Sequence, residues 1–119
     1  MKAISGLKAR INGFAGEIKA KKYLINQGLT YIDKNYSCKW GEIDLIFRDA
    51  EQLVFVEVKS RESGTHGMAS EYYTESKQKK LVRSIMTYLS ENGCNPELTN
   101  FRIDVIAITA DDLQWLKAV

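Results

Sequence analysis

The sequence predicts an α/β fold in which helices flank a mixed central sheet of four to five strands. Two stretches carry apolar residues at helical spacing, and at least four others carry the apolar pattern of strands. Their order, helix–strand–strand–strand–helix–strand, is typical of an α/β sandwich. The strands before and after the second helix are expected to be parallel neighbours joined by a right-handed crossover. The length of 119 residues suits a single domain over residues 1–119.

The first helix is expected from Ile4 to about Gln27. Its apolar residues recur every three or four positions, and Gly28 is a natural stop. Three glycines interrupt the pattern, Gly16 among them, although each costs about 1 kcal/mol relative to alanine. They indicate either a broken helix or a surface that something approaches closely.

Three strands are expected next, over residues 30–38, 42–48 and 53–60. Residues 49–52 form the connection of a hairpin between the second and third strands. The hairpin is therefore predicted to be antiparallel, with one face of each strand buried.

The second half of the chain begins with residues 61–75, which have no clear periodicity and exceed the usual length of a connection. We expect a functional loop there. A second amphipathic helix is predicted over 75–91 and a fourth strand over 101–109. The tail at 113–116 is compatible with either a short strand or a helical turn.

Composition excludes several classes of protein. Hydrophobic residues make up 45% of the chain and charged residues 27%, as in ordinary globular domains. Since there is no long apolar run and no apolar core of a signal peptide, we expect a cytoplasmic protein without membrane contact. Cys38 and Cys94 indicate no disulfide framework, and His66 is the only histidine. A Cys/His zinc site is therefore poorly supported.

The net charge of +2 hides an uneven distribution. Residues 1–40 sum to +6, residues 41–75 to −5 and the remainder to +1. A basic segment followed by an acidic one is what a cation site beside a phosphate-binding surface would produce. The alternative is that the two segments form unrelated solvated faces.

The predicted hairpin carries charge where buried strands would be apolar. One face of the third strand turns charged at Glu57 and Lys59, whereas its other face holds only valines. In the second strand, Glu42 and Asp44 share one face. The opposite face of that strand is expected to hold Ile43, Leu45 and Phe47. A register that pairs residue 48 with 53 also places Asp44 opposite Glu57.

Two carboxylates that face each other across strands repel unless a positive charge lies between them. A divalent cation suits this arrangement, because Mg²⁺ prefers oxygen ligands and keeps waters that a phosphate can replace. Lys59 lies on the same face, where it could orient a water or neutralise a developing phosphoryl charge. The structural alternative is a buried Glu57–Lys59 pair or a cross-strand salt bridge.

These residues resemble a known nuclease motif. Asp44 followed by Glu57-Val58-Lys59, with Glu17 on a preceding helix, is similar to the PD-(D/E)xK motif, although no proline precedes Asp44. More closely, the runs GEIDLI and VFVEVKSR resemble the YraN family of small bacterial proteins. This resemblance covers nearly the whole chain.

The resemblance implies a restriction-endonuclease-like fold, related in outline to archaeal-type Holliday junction resolvases. It implies that Asp44 and Glu57 are metal ligands, with the Val58 carbonyl as a possible third. Lys59 would position the attacking water or stabilise the transition state. Glu17 would complete the site or bind a second metal ion.

Several basic residues are candidates for contacts with DNA phosphates. Lys77, Lys79 and Lys80 begin the second helix, where a phosphate would dock at the helix N-terminus and Lys77 would face the site. A solvated charged face is the alternative. Further candidates are Arg10, Lys21, Lys22 and Arg61. Lys21 could instead pair with Glu17.

Two other features are expected to be structural. Asp104 interrupts an apolar strand and is predicted to pair with Arg102 or Arg61. Trp40 and Trp115 are predicted to pack in the core or at an interface.

The sequence therefore favours a metal-dependent endodeoxyribonuclease that uses Mg²⁺ or Mn²⁺ and acts on DNA, including branched or structured DNA. The small size makes a homodimer or a protein partner plausible. One alternative is a non-catalytic nucleic-acid-binding or partner-docking module with a vestigial site. Another is an interaction protein whose acidic residues form only a structural cation site.

Overall fold

A computed structural model of the chain describes residues 15–60, 73–110 and 112–119. Its elements are α1 (residues 15–26), β1 (Thr30–Cys38), β2 (Gly41–Asp49), β3 (Gln52–Ser60), α2 (Glu75–Glu91), β4 (Phe101–Thr109) and β5 (Asp112–Leu116). Neither helix, within these residues, has the length and apolar character needed to cross a membrane. The part of the predicted first helix before residue 15 and residues 61–72 of the loop predicted over 61–75 lie outside the described residues.

The five strands form one mixed sheet in the order β1–β2–β3–β4–β5. β3 and β4 are parallel, and the other neighbours are antiparallel. α2 lies in the connection between the parallel pair, as predicted, because parallel strands cannot be joined by a tight turn. The tail at 113–116 was predicted to be either a short strand or a helical turn. It lies in strand β5, which pairs with β4. The predicted α/β class is confirmed.

The sheet separates two apolar clusters, one under each helix. On the α1 side, Ala20 and Leu24 pack against buried strand residues, namely Leu45, Phe47, Val54, Val56, Ile106 and Ile108. On the α2 side, the helix contributes Leu81, Ile85, Tyr88 and Leu89. This burial holds both helices to the sheet, since removal of apolar surface from water is the main favourable term in folding.

Strand β2 does not keep the strict alternation that the sequence pattern predicts. Leu45 and Phe47 both belong to the α1-side cluster, as predicted for two residues on one face. Ile43 instead packs with Ile46 in the α2-side cluster. The predicted placement of Ile43 beside Leu45 is therefore wrong, because β2 changes its facing direction between these two residues.

The reversal occurs beside Asn35 and Asp44, which occupy opposite positions in β1 and β2. Asn35 has a left-handed φ of 52°, and neither residue takes part in the regular ladder, although the pairs on both sides keep one register. Asparagine tolerates this conformation better than most residues do. Because of this irregularity, Asp44 does not follow the regular alternation of faces along β2.

A buried charge network ties β4 to the C-terminal tail. Asp104 is fully buried and accepts hydrogen bonds from Arg102 Nε (3.0 Å), Trp115 Nε1 (2.9 Å) and the Ala118 main-chain N–H (3.0 Å). Arg102 also donates to Asp49 at 2.9 Å. The predicted pairing of Asp104 with Arg102 is confirmed, and its role within the described residues is structural.

We expect Asp104→Ala to lower the free energy of unfolding by about 3–5 kcal/mol, because it leaves buried donors without their acceptor. Asp49→Ala is the matched control, because Asp49 is the other carboxylate that binds Arg102 but its side chain is 40% exposed. This substitution should lower the free energy of unfolding by about 1 kcal/mol or less. Urea unfolding measures both. Equal losses for the two variants would contradict the assigned role of Asp104.

Candidate functional site

The main-chain ladder between β2 and β3 ends at the pair Leu45↔Val56. The predicted hairpin register is confirmed along this ladder, which stops one position before Asp44 and Glu57. There the Asp44 carboxylate accepts a hydrogen bond from the Val58 main-chain N–H at 2.8 Å. A side chain thus joins the two strands where their main-chain pairing has ended, which fixes the carboxylate at that point.

Three carboxylates meet beside this junction and form what we call the acidic cluster. Glu17 of α1 and Glu42 and Asp44 of β2 each place a carboxylate oxygen within 4.8 Å of the others. The orientation of the Asn35 side-chain amide is assigned from its neighbours, with the nitrogen toward the carboxylates. In this orientation the nitrogen donates to Glu17 Oε1 and Glu42 Oε1 at 3.1 Å each. Within the described residues, this amide, the Val58 N–H and the charge of Lys34 near Glu17 compensate part of the repulsion among the three carboxylates.

Burial and neighbouring charge both disfavour ionised Asp44. Burial, followed by the charge of Glu57, raises the pKa of Asp44 to about 7; Glu17 and Glu42 add to the rise, whereas the Val58 N–H opposes it. Burial and then Glu42 also raise the pKa of Glu17. Near neutral pH the site therefore gains from binding either a proton or a cation.

Glu17 reaches the cluster because α1 runs very close to β3. Gly16 is buried, and a Cβ at this position would lie 3.2 Å from Ser60 Cβ, closer than side chains normally approach. A residue with a Cβ would require Ser60 or α1 to move by a few tenths of an ångström. Of the two explanations offered for the glycines, a closely approached surface is confirmed at Gly16.

Glu57 and Lys59 lie on the α2 side of the sheet, where Lys59 Nζ and Glu57 Oε1 are 3.0 Å apart. Their side chains are only 21% and 19% exposed. Both line a cavity of about 240 Å³ between the strand ends and α2. The other lining residues are Trp40, Gly41, Glu42, Tyr73, Lys77, Lys80, Leu81 and Ser84. Because Glu42 belongs to both features, the acidic cluster adjoins the cavity.

The predicted basic residues fall into three groups. Lys77 and Lys80 line the cavity beside Glu57 and Lys59, while Lys79 lies 3.8 Å from Glu75 on the exposed face of α2. Lys21 and Lys22 line a second hollow on the α1 side, together with Glu17. Arg10 and Arg61 lie outside the described residues.

Sequence reasoning missed two residues of this region. Glu42 was placed on the same face as Asp44 but was not proposed as a ligand, although alternate carboxylates at the start of a strand were the signal that could have identified it. Trp40, predicted to pack in the core or at an interface, is not in the core: it is 37% exposed at the cavity rim, and packing at an interface stays a prediction. Trp40 lies in the two-residue turn between β1 and β2, and such a short turn has no periodicity from which exposure could be predicted.

The donor set of the acidic cluster fits Mg²⁺ or Mn²⁺. Hard carboxylate oxygens suit both ions. Two oxygens bound to one Mg²⁺ lie at most about 4.2 Å apart, so oxygens within 4.8 Å of one another need only small side-chain movements to share it. Val58 contributes its N–H to Asp44, and the role of its carbonyl as a ligand stays a prediction.

The mixed five-stranded sheet with its flanking helices defines an α/β protein with a restriction-endonuclease-like arrangement. Within that class the sequence profile of "Uncharacterised protein family UPF0102" matches residues 16–108, and the chain belongs to this family. This confirms the resemblance to the YraN family.

Relatives of the same family occur in several bacteria. A UPF0102 protein of Aliivibrio salmonicida is 46% identical, over 91% of this chain and 89% of the relative. Those of Saccharophagus degradans and Herminiimonas arsenicoxydans are each 44% identical, over 88% and 91% of this chain and 88% and 85% of the relatives. The likeness therefore extends over most of each protein.

In metal-free protein, we expect Asp44→Asn to increase stability at pH 8 by up to a few kcal/mol, and the gain to shrink toward pH 5. The folded pKa of Asp44, about 7, lies above its ordinary value of 3.8, so folding takes up a proton between these values. The contribution of Asp44 to the free energy of unfolding is therefore present at low pH and is lost as the pH rises through 7. Asparagine keeps an acceptor for the Val58 N–H and does not titrate.

Urea unfolding in EDTA at pH 5, 6, 7 and 8 measures this difference. Glu51→Gln, on the exposed turn of the hairpin, controls for the loss of one negative charge. A difference between Asp44→Asn and the wild type that stays constant with pH, or grows toward acid, would refute the electrostatic account of the cluster.

Proposed function

We propose that this protein is a metal-dependent nuclease that hydrolyses phosphodiester bonds of DNA. The observation that carries the proposal is the contact between two features: the acidic cluster of Glu17, Glu42 and Asp44, and the cavity that holds Glu57 and Lys59. An acidic cluster alone would suit any cation. Its position beside a half-buried lysine adds the charge that a phosphoryl group needs.

The metal ligands in this proposal are Asp44, Glu17 and Glu42. Glu57, which lines the adjoining cavity, is kept as the further ligand predicted from the sequence. Bound Mg²⁺ or Mn²⁺ would supply an activated water and would offset the negative charge of the reacting phosphoryl group. The Val58 N–H holds Asp44 in place for this role. Fixed ligands of this kind lose little entropy when the metal ion binds.

Lys59 is the residue we assign to the reacting phosphate. Its ammonium is held by Glu57 at 3.0 Å and is only 19% exposed, so it acts in an environment where charge is weakly screened. From there it donates to a phosphoryl oxygen or orients the attacking water. Lys77 and Lys80 bind flanking phosphates without reading sequence.

The substrate we propose is branched or otherwise structured DNA, because the family resemblance of the sequence implies a fold related in outline to junction resolvases. We place the activity in the cytoplasm. Cys38 and Cys94 are unpaired thiols, which supports a reducing compartment.

A second candidate function is a DNA-binding module with a vestigial site. The Glu57–Lys59 ion pair favours it, because a carboxylate neutralised by lysine is a weaker metal ligand than a free one. In that case DNA binding would be salt-sensitive and independent of Asp44.

The test is cleavage of linear, nicked, flapped and four-way-junction DNA in Mg²⁺ or Mn²⁺. We expect the wild type to cleave at least one substrate, and Asp44→Asn, Glu57→Gln and Lys59→Ala each to lose about a hundredfold or more in rate. Circular dichroism should show that the variants remain folded.

Glu75→Gln and Lys117→Ala are the matched controls, because both residues are exposed and lie outside the cluster and the cavity. They remove the same charges as Glu57→Gln and Lys59→Ala and should leave the rate within about twofold. If no substrate is cleaved with either metal, while wild type and Asp44→Asn bind the same DNA equally well, the nuclease proposal is wrong and the binding module is favoured.

A further inference from the structure

We infer that the cavity between the strand ends and α2 binds one unpaired nucleotide of the DNA, with the base stacked on Trp40 and the phosphate held by Lys77 and Lys80. The inference rests on the proposed function. It adds a feature of the substrate that the nuclease chemistry leaves open, namely an unpaired nucleotide beside the cleaved bond.

The size of the cavity limits what it can hold. Its volume of about 240 Å³ lies below the roughly 300–1,000 Å³ of pockets that enclose drug-sized ligands. A base pair within a continuous duplex cannot enter such a space, because its two bases stay stacked between their neighbours. A single extruded or unpaired nucleotide can, as enzymes that bind one nucleotide outside the duplex demonstrate.

Trp40 gives the cavity an aromatic rim. It lies in the turn between β1 and β2 and is 37% exposed. Arg83 Cζ lies 4.5 Å and Lys39 Nζ 5.0 Å from the centre of the Trp40 ring. These cations are on flexible side chains, so a base can replace one of them on the ring while the cation moves to the phosphate.

Tyr73 supplies a polar group inside the cavity. Its hydroxyl is buried and has no hydrogen-bond partner among the described residues, whereas buried hydroxyls are normally paired. The neighbouring Ser84 hydroxyl is already engaged, since it donates to the Lys80 carbonyl at 3.2 Å and lies 3.5 Å from Cys38 Sγ. Tyr73 is therefore the hydroxyl suited to the polar edge of a base.

The charges of the cavity orient the nucleotide. Lys77 and Lys80 stand on the α2 wall, and Glu42 and Glu57 on the strand wall. A phosphate is attracted to the first wall and repelled by the second unless a metal ion lies there. The nucleotide backbone is thus drawn between the lysines and the acidic cluster, with the base directed toward Trp40.

The experiment measures binding in EDTA, where no metal-dependent cleavage interferes. The probes are a fluorescein-labelled ten-nucleotide oligo(dT) and a blunt duplex of the same label. Trp40→Ala is expected to weaken oligo(dT) binding by about tenfold or more, the loss of one stacked base, and duplex binding by less than about twofold. Trp40→Phe should restore most of the affinity, and Tyr73→Phe should weaken oligo(dT) binding selectively.

Leu98→Ala is the control, because it removes an apolar side chain that is 83% exposed and lies outside the cavity. Equal affinity of wild type and Trp40→Ala for oligo(dT), or equal losses for oligo(dT) and duplex, would overturn the inference. Since binding is measured without metal, this outcome is separate from a failure of cleavage: an inactive wild type that still discriminates oligo(dT) through Trp40 would refute only the nuclease proposal.

Discussion

The repulsion among four carboxylates is the constraint on which the site depends. Those of Glu17, Glu42, Asp44 and Glu57 lie close together where the main-chain pairing of β2 and β3 ends. Asp44 stands at the centre, where burial and the charge of Glu57 raise its pKa to about 7. The Val58 N–H, the Asn35 amide and Lys59 each relieve part of the repulsion. Within the described part of the chain these groups offset only part of the repulsion, so the cluster lowers stability, as functional sites commonly do.

Contacts outside the acidic cluster hold its carboxylates in position. Gly16 lets α1 lie against β3, so that Glu17 reaches the cluster. The parallel pair of β3 and β4 fixes the strand that carries Glu57 and Lys59, and the Asp104 network fixes β4 to the tail. α2 then places its lysines across the cavity from the carboxylates. In the proposed function the carboxylates would bind the metal ion and the lysines across the cavity would bind phosphate; these lysines belong to the nearly neutral C-terminal part of the chain and not to its basic N-terminal segment.

Much of this could be predicted from the sequence because it depends on local patterns. The bounds of β1, α2 and β4 follow from periodicity, and the hairpin register follows from the short turn after Asp49. The face of Ile43 could not be predicted, since it depends on the left-handed conformation of Asn35 in the neighbouring strand. Glu42 was missed for a different reason: its alternation with Asp44 is visible in the sequence, but its approach to Glu17 depends on how α1 lies on the sheet.

Binding of a divalent metal ion by the acidic cluster, as we propose, can be measured by anomalous diffraction from crystals grown with Mn²⁺. We expect an anomalous peak about 2 Å from a carboxylate oxygen of Asp44 and within bonding distance of Glu17 or Glu42. We also expect this peak to disappear in crystals of Glu42→Gln. Well-ordered crystals without a peak at the cluster, or with a peak only elsewhere on the protein, would contradict the proposal.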